Sequence, residues 1–318
     1  MISAPAFEEA TFSTRLCGGA KTQRRAVHGV LLLDKPVGMT SNQALQTAKR
    51  LFNARKAGHT GSLDPLASGL LPLCFGEATK VSAFLLDADK KYAVKCKLGI
   101  RTTTADAEGE VLETCMLPAL TRARIEQVFA QFHGMITQIP PMYSALKYRG
   151  QRLYDLAREG IEVPRAPRPV TIRTLELMAY SQDSLEFKVH CSKGTYIRTL
   201  VEDLARALGS CGHVSVLRRL TVGPYDSMHS LEELQQQAEL GHVALDSLLL
   251  PVDSAVAHWP QVNLGMDAVW YFMRGQAVMV PGAPTAGWLR AYGDGRFLGL
   301  AEVLPDGRVT PRRLMNPD

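Results

Sequence analysis

Across 318 residues the chain never approaches the roughly 18 consecutive apolar residues that a membrane-spanning helix requires. Its six cysteines, at positions 17, 74, 96, 115, 191 and 211, form no Cys-x-x-Cys pair and take no zinc-ligand spacing with a histidine. Scattered in this way, they are expected to be reduced thiols of a cytosolic protein. Neither a glycine-rich dinucleotide fingerprint nor a P-loop Gly-Lys-Ser/Thr is present, so nucleotide-cofactor classes lose their usual signal. The first residues include Glu8 and Glu9 and lack an apolar core, so no secretory signal is expected and the location is read as cytoplasmic. Charge of neither sign dominates: 36 Lys and Arg against 31 Asp and Glu leave a net +5. That mild excess is compatible with RNA without establishing it.

What is present is ordinary globular composition, 46% hydrophobic and 21% charged, enough for one large core with a small satellite domain. Residues 1–27 mix Gly18-Gly19, Lys21 and Arg24-Arg25 without periodicity and read as a flexible tail. Residues 29–33 form a short apolar strand ending in the turn Asp34-Lys35-Pro36. Thr40 and Gln43 form a capping box, after which Ala44, Leu45, Ala48, Leu51 and Phe52 repeat at helical spacing. Tyr92, Val94, Cys96 and Leu98 alternate with Ala93, Lys95 and Lys97, as a half-buried strand does. Ile125, Val128, Phe129 and Phe132 mark a helix, and Leu185, Phe187, Val189 and Cys191 a further strand. A helix is expected from about Thr195, with Gly209 at its C-terminal cap. Strands mixed with helices, without a regular βαβ repeat, indicate an α+β fold. After Pro251 the texture changes to short strands separated by Pro281-Gly282, Asp294-Gly295 and Asp306-Gly307, the pattern of a small β-barrel.

Asp64 is the only carboxylate between Asp34 and Glu77. It stands in Gly58-His-Thr-Gly-Ser-Leu-Asp-Pro-Leu-Ala-Ser-Gly-Leu-Leu-Pro72, where glycines permit tight turns and Pro65 restricts the residue before it. A single Asp-Pro is ordinarily a turn that bonds its own backbone. The whole string, however, resembles the central motif of the T-loop type tRNA pseudouridine synthases. Three more strings agree in order: Gly29-Val-Leu-Leu-Leu-Asp-Lys-Pro-Val-Gly-Met-Thr-Ser-Asn42, Cys191-Ser-Lys-Gly-Thr-Tyr-Ile-Arg-Thr199 and His213-Val-Ser-Val-Leu-Arg-Arg-Leu220. The likeness runs from about Val27 to the C-terminus.

The resemblance implies a pseudouridine synthase fold, with a mixed, largely antiparallel sheet flanked by helices. It places a catalytic domain over 28–250 with an RNA-binding insertion at about 133–168. A small PUA-like RNA-binding β-barrel would occupy 251–318. A specific uridine in the tRNA T-loop, position 55, would become pseudouridine without a guide RNA. The reaction breaks and remakes a glycosidic bond with no redox change, so no cofactor and no metal is expected. Asp64 would be the nucleophile, at C6 of the base or C1′ of the sugar. Arg198 would pair with it, since a buried carboxylate needs a counter-charge. By the same likeness Tyr92 stacks on the uracil and takes the ribose proton, Tyr196 and Leu217 line the base pocket, and His59 helps to extrude the base. Taken alone, Leu217 reads as core and His59 as a solvated loop residue.

The target base must leave its stack, so the RNA must be gripped. Residues 143–168 carry six Lys or Arg against three Asp or Glu, interleaved with Tyr143, Tyr148 and Tyr154. Basic residues meet phosphate and aromatics stack on bases, so Lys147, Arg149 and Arg152 are RNA-contact candidates. Lys80, Arg218 and Arg219 are further phosphate candidates. The expected partner is the tRNA T-arm, bound by a monomer without an obligatory protein partner or membrane. Two other readings are a guide-RNA-dependent relative and a non-catalytic tRNA-binding or folding protein. The basic insertion disfavours the first, and joint presence of Asp64, Tyr92 and Arg198 disfavours the second.

Overall fold

The computed structural model describes residues 23–316. Most of the expected flexible tail, residues 1–22, lies outside the described residues. Its last part is held: Arg25 pairs with both carboxylate oxygens of Asp246, and Val27 is buried.

Eight strands build the main sheet. Gly29–Lys35 lies at one edge, followed by Ser68–Phe75, Gly212–Val222, Lys90–Leu98, Ser184–Cys191, Arg168–Tyr180 and Gly134–Gln138. The short Ala57–His59 strand also pairs with Ser68–Phe75. Every strand pairing within this sheet is antiparallel except one. That exception joins the two parts of the sheet: Arg218 and Arg219 run parallel to Ser68 and Gly69. The expected α+β class, with a mixed and largely antiparallel sheet, is what forms.

Local chemistry accounts for the elements. Thr40 caps the helix Ser41–Leu51: its hydroxyl accepts from the Gln43 amide at 3.2 Å, and Gln43 Oε1 accepts from the Thr40 amide at 2.8 Å. Ala44, Leu45 and Ala48 of that helix pack on Leu31, Leu33, Leu71 and Leu73. The alternate residues Val30, Leu32, Leu70 and Cys74 face the opposite layer, so these strands are apolar on both faces. Beyond the joint, Val94, Cys96, Phe187 and Val189 pack against Leu200, Val201 and Leu204 of the helix Ile197–Ala207. Gly209 follows that helix at φ +86°, the left-handed cap its sequence announces.

The C-terminal region corrects one expectation. Gln261–Asn263, Gly287–Gly293, Arg296–Val303 and Val309–Leu314 form a four-stranded sheet, not a closed barrel. Closure would need the two outer strands to pair. Among the described residues, Gln261–Asn263 bonds only to Gly287–Gly293, and Val309 gains only a bridge to Val278. The Asp294-Gly295 hairpin is as expected, with φ of +50° and +71° at its two central residues. Leu300 and Met315 share a core with Val30, Leu70 and Val222, so this sheet leans on the larger one.

The cysteine expectation is also corrected. Cys115 and Cys211 form a disulfide with Cα atoms 5.8 Å apart, tying the end of the 100–114 hairpin to the start of the Gly212–Val222 strand. Their separation of 96 residues gives no local signal of this contact. Cys74, Cys96 and Cys191 are free and buried.

Gly69 lies at the joint with φ +100°, and a Cβ there would sit 2.2 Å from the Arg219 carbonyl oxygen. Gly69→Ala combines a backbone strain with a backbone clash and should cost about 2–5 kcal/mol. Urea unfolding would measure it; a loss below about 0.5 kcal/mol, the size of an ordinary surface change, would mean the two half-sheets can separate without penalty.

Candidate active site

Asp64 sits where the chain turns from Ala57–His59 toward Ser68–Phe75. Its loop is fastened on both sides by the 35–41 turn. Ser41 Oγ, at the first turn of its helix, accepts from the Leu63 amide at 2.7 Å and donates to the Leu63 carbonyl at 3.1 Å. The Gly38 amide donates to the Pro65 carbonyl at 2.8 Å. Lys35, fully buried, donates to the carbonyls of Pro36 and Met39 at 2.8 and 2.6 Å and reaches Pro65 at 3.4 Å. The residues flanking the carboxylate are thus fixed, while the carboxylate itself stays half-exposed.

It opens onto a cavity of about 370 Å³ lined by Asp64, Tyr92, Tyr196, Arg198, Leu217 and Arg219, among others. A second cavity of about 300 Å³ meets Asp64 from the other side, with Asp106, Glu108, Tyr143, Tyr154 and Arg158 in its walls. A larger cleft, about 660 Å³, lies on the C-terminal domain and is lined mostly by apolar side chains such as Trp270 and Met273. Asp294 and Arg296 stand among its lining residues, but it holds none of the site residues that the sequence motifs single out.

Arg198 is buried and bonded through all three of its nitrogens. Nε meets Asp64 Oδ2 at 3.0 Å, Nη1 donates to the Thr104 carbonyl at 2.9 Å, and Nη2 donates to the Tyr143 carbonyl at 2.7 Å. Asp106, almost fully buried, lies 3.6 Å from Nη1. Burial raises the Asp64 carboxyl above its ordinary value; Arg198 acts against this, and Asp106 adds to it. Burial also pushes Lys35 and Lys90 down to about 8. His59 is lowered by burial and by Arg219, which favours the neutral imidazole. Tyr92 is raised by burial, with Arg219 opposing the rise.

The cavity gathers six of the sequence candidates: Asp64, Tyr92, Tyr196, Arg198, Leu217 and Arg219. Tyr196 is held there by Gln138, whose amide group bonds both its amide and its carbonyl at 3.0 and 3.2 Å. His59 does not line this cavity; it stands on the short strand before the loop, with Nδ1 buried and unbonded. Lys147, Arg149 and Arg152 are exposed on a small hairpin, as a phosphate-contacting surface requires.

Three phosphate candidates also have internal partners. Lys80 is engaged by Glu77 and by the Leu314 carbonyl at 2.7 Å, so it fastens the C-terminal sheet. Arg218 makes a two-pronged pair with Asp34, at 3.0 and 2.6 Å. Arg219 is 1% exposed, and its guanidinium donates to the carbonyls of Leu70 and Gly61. Alternation along a strand sends neighbours to opposite faces, so these adjacent arginines find different partners.

Sequence reasoning misses Lys35, Lys90 and Asp106. Lys35 stands inside a recognised string, next to a turn. Asp106 has no local signal, because it reaches Arg198 only when the 100–114 hairpin docks on Val214.

The chain matches the family model "TruB family pseudouridylate synthase (N terminal domain)" over residues 49–197. Two further models match over 198–257 and 260–315: "tRNA pseudouridylate synthase B C-terminal domain" and "Pseudouridine synthase II TruB, C-terminal". It is 55% identical over 302 residues to the tRNA pseudouridine synthase B of Nitrosococcus oceani, covering 93% of this chain and 98% of that one. Against the protein of the same name from Coxiella burnetii it is 53% identical over 299 residues, covering 93% and 97%. Among solved structures it resembles a chain of a Cbf5-Nop10-Gar1 complex, with a TM-score of 0.70 and 26% identity over 91% of this chain and 85% of that one.

The opposing neighbours of Asp64 give a signed expectation. Asp106→Asn removes a charge that raises Asp64, so the Asp64 carboxyl should titrate at lower pH than in the parent protein. Arg198→Met removes a charge that lowers it, so it should titrate at higher pH. Carboxyl-carbon NMR titration of the three proteins measures both, and shifts in one common direction would break this electrostatic account.

Proposed function

Because the chain belongs to the TruB family of pseudouridylate synthases, we propose that it converts the uridine at position 55 in the tRNA T-loop to pseudouridine, with Asp64 as the nucleophile. The observation that carries this reading is the Asp64–Arg198 pair at 3.0 Å, opening onto a cavity walled by Tyr92, Tyr196 and Leu217. Binding alone does not call for a carboxylate held rigidly where RNA phosphates approach. A covalent intermediate does.

The rearrangement breaks the bond between C1′ and N1 and forms one between C1′ and C5. N1 gains a proton and C5 loses one. No electrons are exchanged, so a nucleophile and groups that carry protons suffice. Arg198 favours the ionised Asp64 in a setting where burial favours the protonated form. The carboxylate attacks C6 of the base or C1′ of the sugar, and either attack leaves the base free to turn after its old bond opens. Tyr92 stacks on the uracil and accepts a proton, while Leu217 closes the apolar side of the pocket. His59, just before the loop, assists extrusion without lining the cavity itself.

A stacked uracil must be flipped to reach Asp64, at a cost of about a few kcal/mol. Residues 143–168 are suited to repaying it. The hairpin of Lys147–Tyr148 and Gln151–Arg152 presents three exposed cations, and Arg149 lies 5.4 Å over the Tyr148 ring. Tyr143 and Tyr154 from the same segment reach the second cavity beside Asp64. An arm that both grips and borders the site favours recognition of the T-arm by this chain alone, and the proposal includes a monomer acting in the cytoplasm. The catalytic unit is residues 28–250, with the arm at about 133–168 and an RNA-binding domain over 251–318. A guide-RNA-dependent reading draws on the likeness to a complex whose other named components are Nop10 and Gar1. Mapping the modified position on bare tRNA, with the purified chain alone, decides between them.

Asp64→Asn keeps the shape of the side chain and removes the nucleophile. Pseudouridine yield on a T-arm hairpin should fall to background while affinity for the hairpin stays close to that of the parent protein. Substantial turnover by this variant would remove Asp64 from the role.

Joint replacement of Lys147, Arg149 and Arg152 by Ala should weaken tRNA binding and flatten its salt dependence, because fewer counterions are released. Each lost phosphate contact takes about 0.7–0.9 from the slope of log affinity against log salt. Single-turnover rates at saturating RNA should fall much less. An unchanged slope with a collapsed rate would mean the arm shapes the active site without gripping RNA.

A further inference from the structure

Arg219 heads the fully buried side chains by volume, yet among the described residues no carboxylate pairs with it. Asp64 is taken by Arg198, and Asp34 by the neighbouring Arg218. A guanidinium withdrawn from water without a counter-ion is costly, and proteins rarely retain one without use. Its contacts span three elements. Nε donates to the Leu70 carbonyl at 2.7 Å, just after the nucleophile loop, and Nη2 to the Gly61 carbonyl at 3.1 Å, just before it. Arg219 is also the direct cross-strand partner of Tyr92, and both side chains line the same cavity.

We infer that Arg219 is a positioning residue for Tyr92: it fixes the phenol relative to the Asp64 loop and supplies the counter-charge for a phenolate during proton transfer. This role rests on the proton-accepting part that Tyr92 plays in the proposed reaction. In that step the phenolate oxygen takes a proton from the nucleotide and becomes a phenol, and the electron pair of the broken bond stays on the substrate. When the proton is passed on, the phenolate returns, and Arg219 remains charged throughout.

The surroundings agree. Tyr92 faces Arg219 from the Gly212–Val222 strand, Cys191 from the Ser184–Cys191 strand, Asp64 from the loop and Arg198 from the helix Ile197–Ala207. Lys90 stands two residues away on its own strand, with its ammonium bonded to the carbonyls of Leu85, Leu86 and Ala88. Burial and the Asp64 charge make a Tyr92 phenolate harder to form, and Arg219 is the cation acting against both. His59 and Lys90 are lowered first by burial, and the Arg219 charge adds to the fall in both.

The test is a double-mutant cycle with a pH profile. Arg219→Met should lower the single-turnover rate at neutral pH by about 100-fold, within the range of general acid–base effects. It should also move the alkaline-going rise of the profile to higher pH, because the phenolate has lost its counter-charge. Arg219→Lys keeps a charge and should restore most of that position in pH, at a rate still about tenfold down, since an ammonium cannot reproduce the fork of bonds. In a Tyr92→Phe background either change should cost less than about threefold, since the group it serves is gone. Thermal melts confirm which variants fold, and if Arg219→Met does not, the Arg219→Lys cycle carries the same expectation. A full loss that persists in the Tyr92→Phe background, with the pH rise unmoved, would overturn the inference and leave Arg219 as a brace of the sheet. A wild-type rate for Tyr92→Phe alone would overturn both this inference and the role of Tyr92, while Asp64→Asn would still report on the nucleophile.

Discussion

The structure depends on one short parallel contact. Ser68 and Gly69 meet Arg218 and Arg219, and through this contact the strand following the Asp64 loop is registered against the strands that carry Tyr92 and lead to Arg198. Close approach is possible because position 69 has no Cβ to collide with the Arg219 backbone. The same two arginines then work on opposite faces. Arg218 reaches Asp34 and ties the edge strand Gly29–Lys35 to the joint. Arg219 turns inward and ties Gly61 and Leu70, on either side of Asp64. A single register therefore sets the sheet and the site together, and a slip of one residue would exchange the two arginines.

Around Asp64, rigidity and charge come from different places. The backbone of residues 63–65 is pinned by Ser41, Gly38 and Lys35, all from the turn that follows the first strand. The carboxylate is governed from elsewhere, by Arg198 on a helix and Asp106 on a hairpin. Arg198 is itself anchored to the carbonyls of Thr104 and Tyr143, so its position depends on both the hairpin and the basic arm. Docking of that arm and the charge state of Asp64 are thereby linked through one guanidinium. The Cys115–Cys211 disulfide holds the far end of the hairpin that bears Asp106.

Much of this is legible from residue pattern. The Thr40–Gln43 capping box, the alternation from Tyr92 to Leu98 and the Asp294-Gly295 hairpin are local rules, and local rules survive folding. Asp64, Tyr92, Tyr196, Arg198 and Leu217 are reached through a resemblance in four strings, and they share one cavity. What escapes the pattern is non-local. Cys115 finds Cys211 across 96 residues, Lys80 finds the Leu314 carbonyl across 234, and Asp106 finds Arg198 from a separate hairpin. Reading Arg218 and Arg219 as phosphate contacts equates charge with exposure. Arg219 is buried and Arg218 pairs with Asp34, and nothing in a pair of adjacent arginines announces which face has a carboxylate waiting.

The C-terminal sheet shows how such a long-range contact can matter without closing a barrel. Lys80 sits at the end of the segment that follows the Ser68–Phe75 strand, and it is shared between Glu77 and the last strand of the chain. Glu77 in turn accepts from the Asn316 amide at 2.7 Å. Phe84, Trp259 and Trp288 pack edge-on or tilted beside this junction, with ring centroids 4.8–5.8 Å apart. An apolar seam with a charged clasp at its rim resists both sliding and opening, because the first motion unstacks rings and the second strands a lysine. The sheet needs no closure to be held in place. Its open edges are kept short by the three-residue strand Gln261–Asn263 on one side and broken by Pro311 on the other, which are ordinary ways to stop an edge from recruiting another strand.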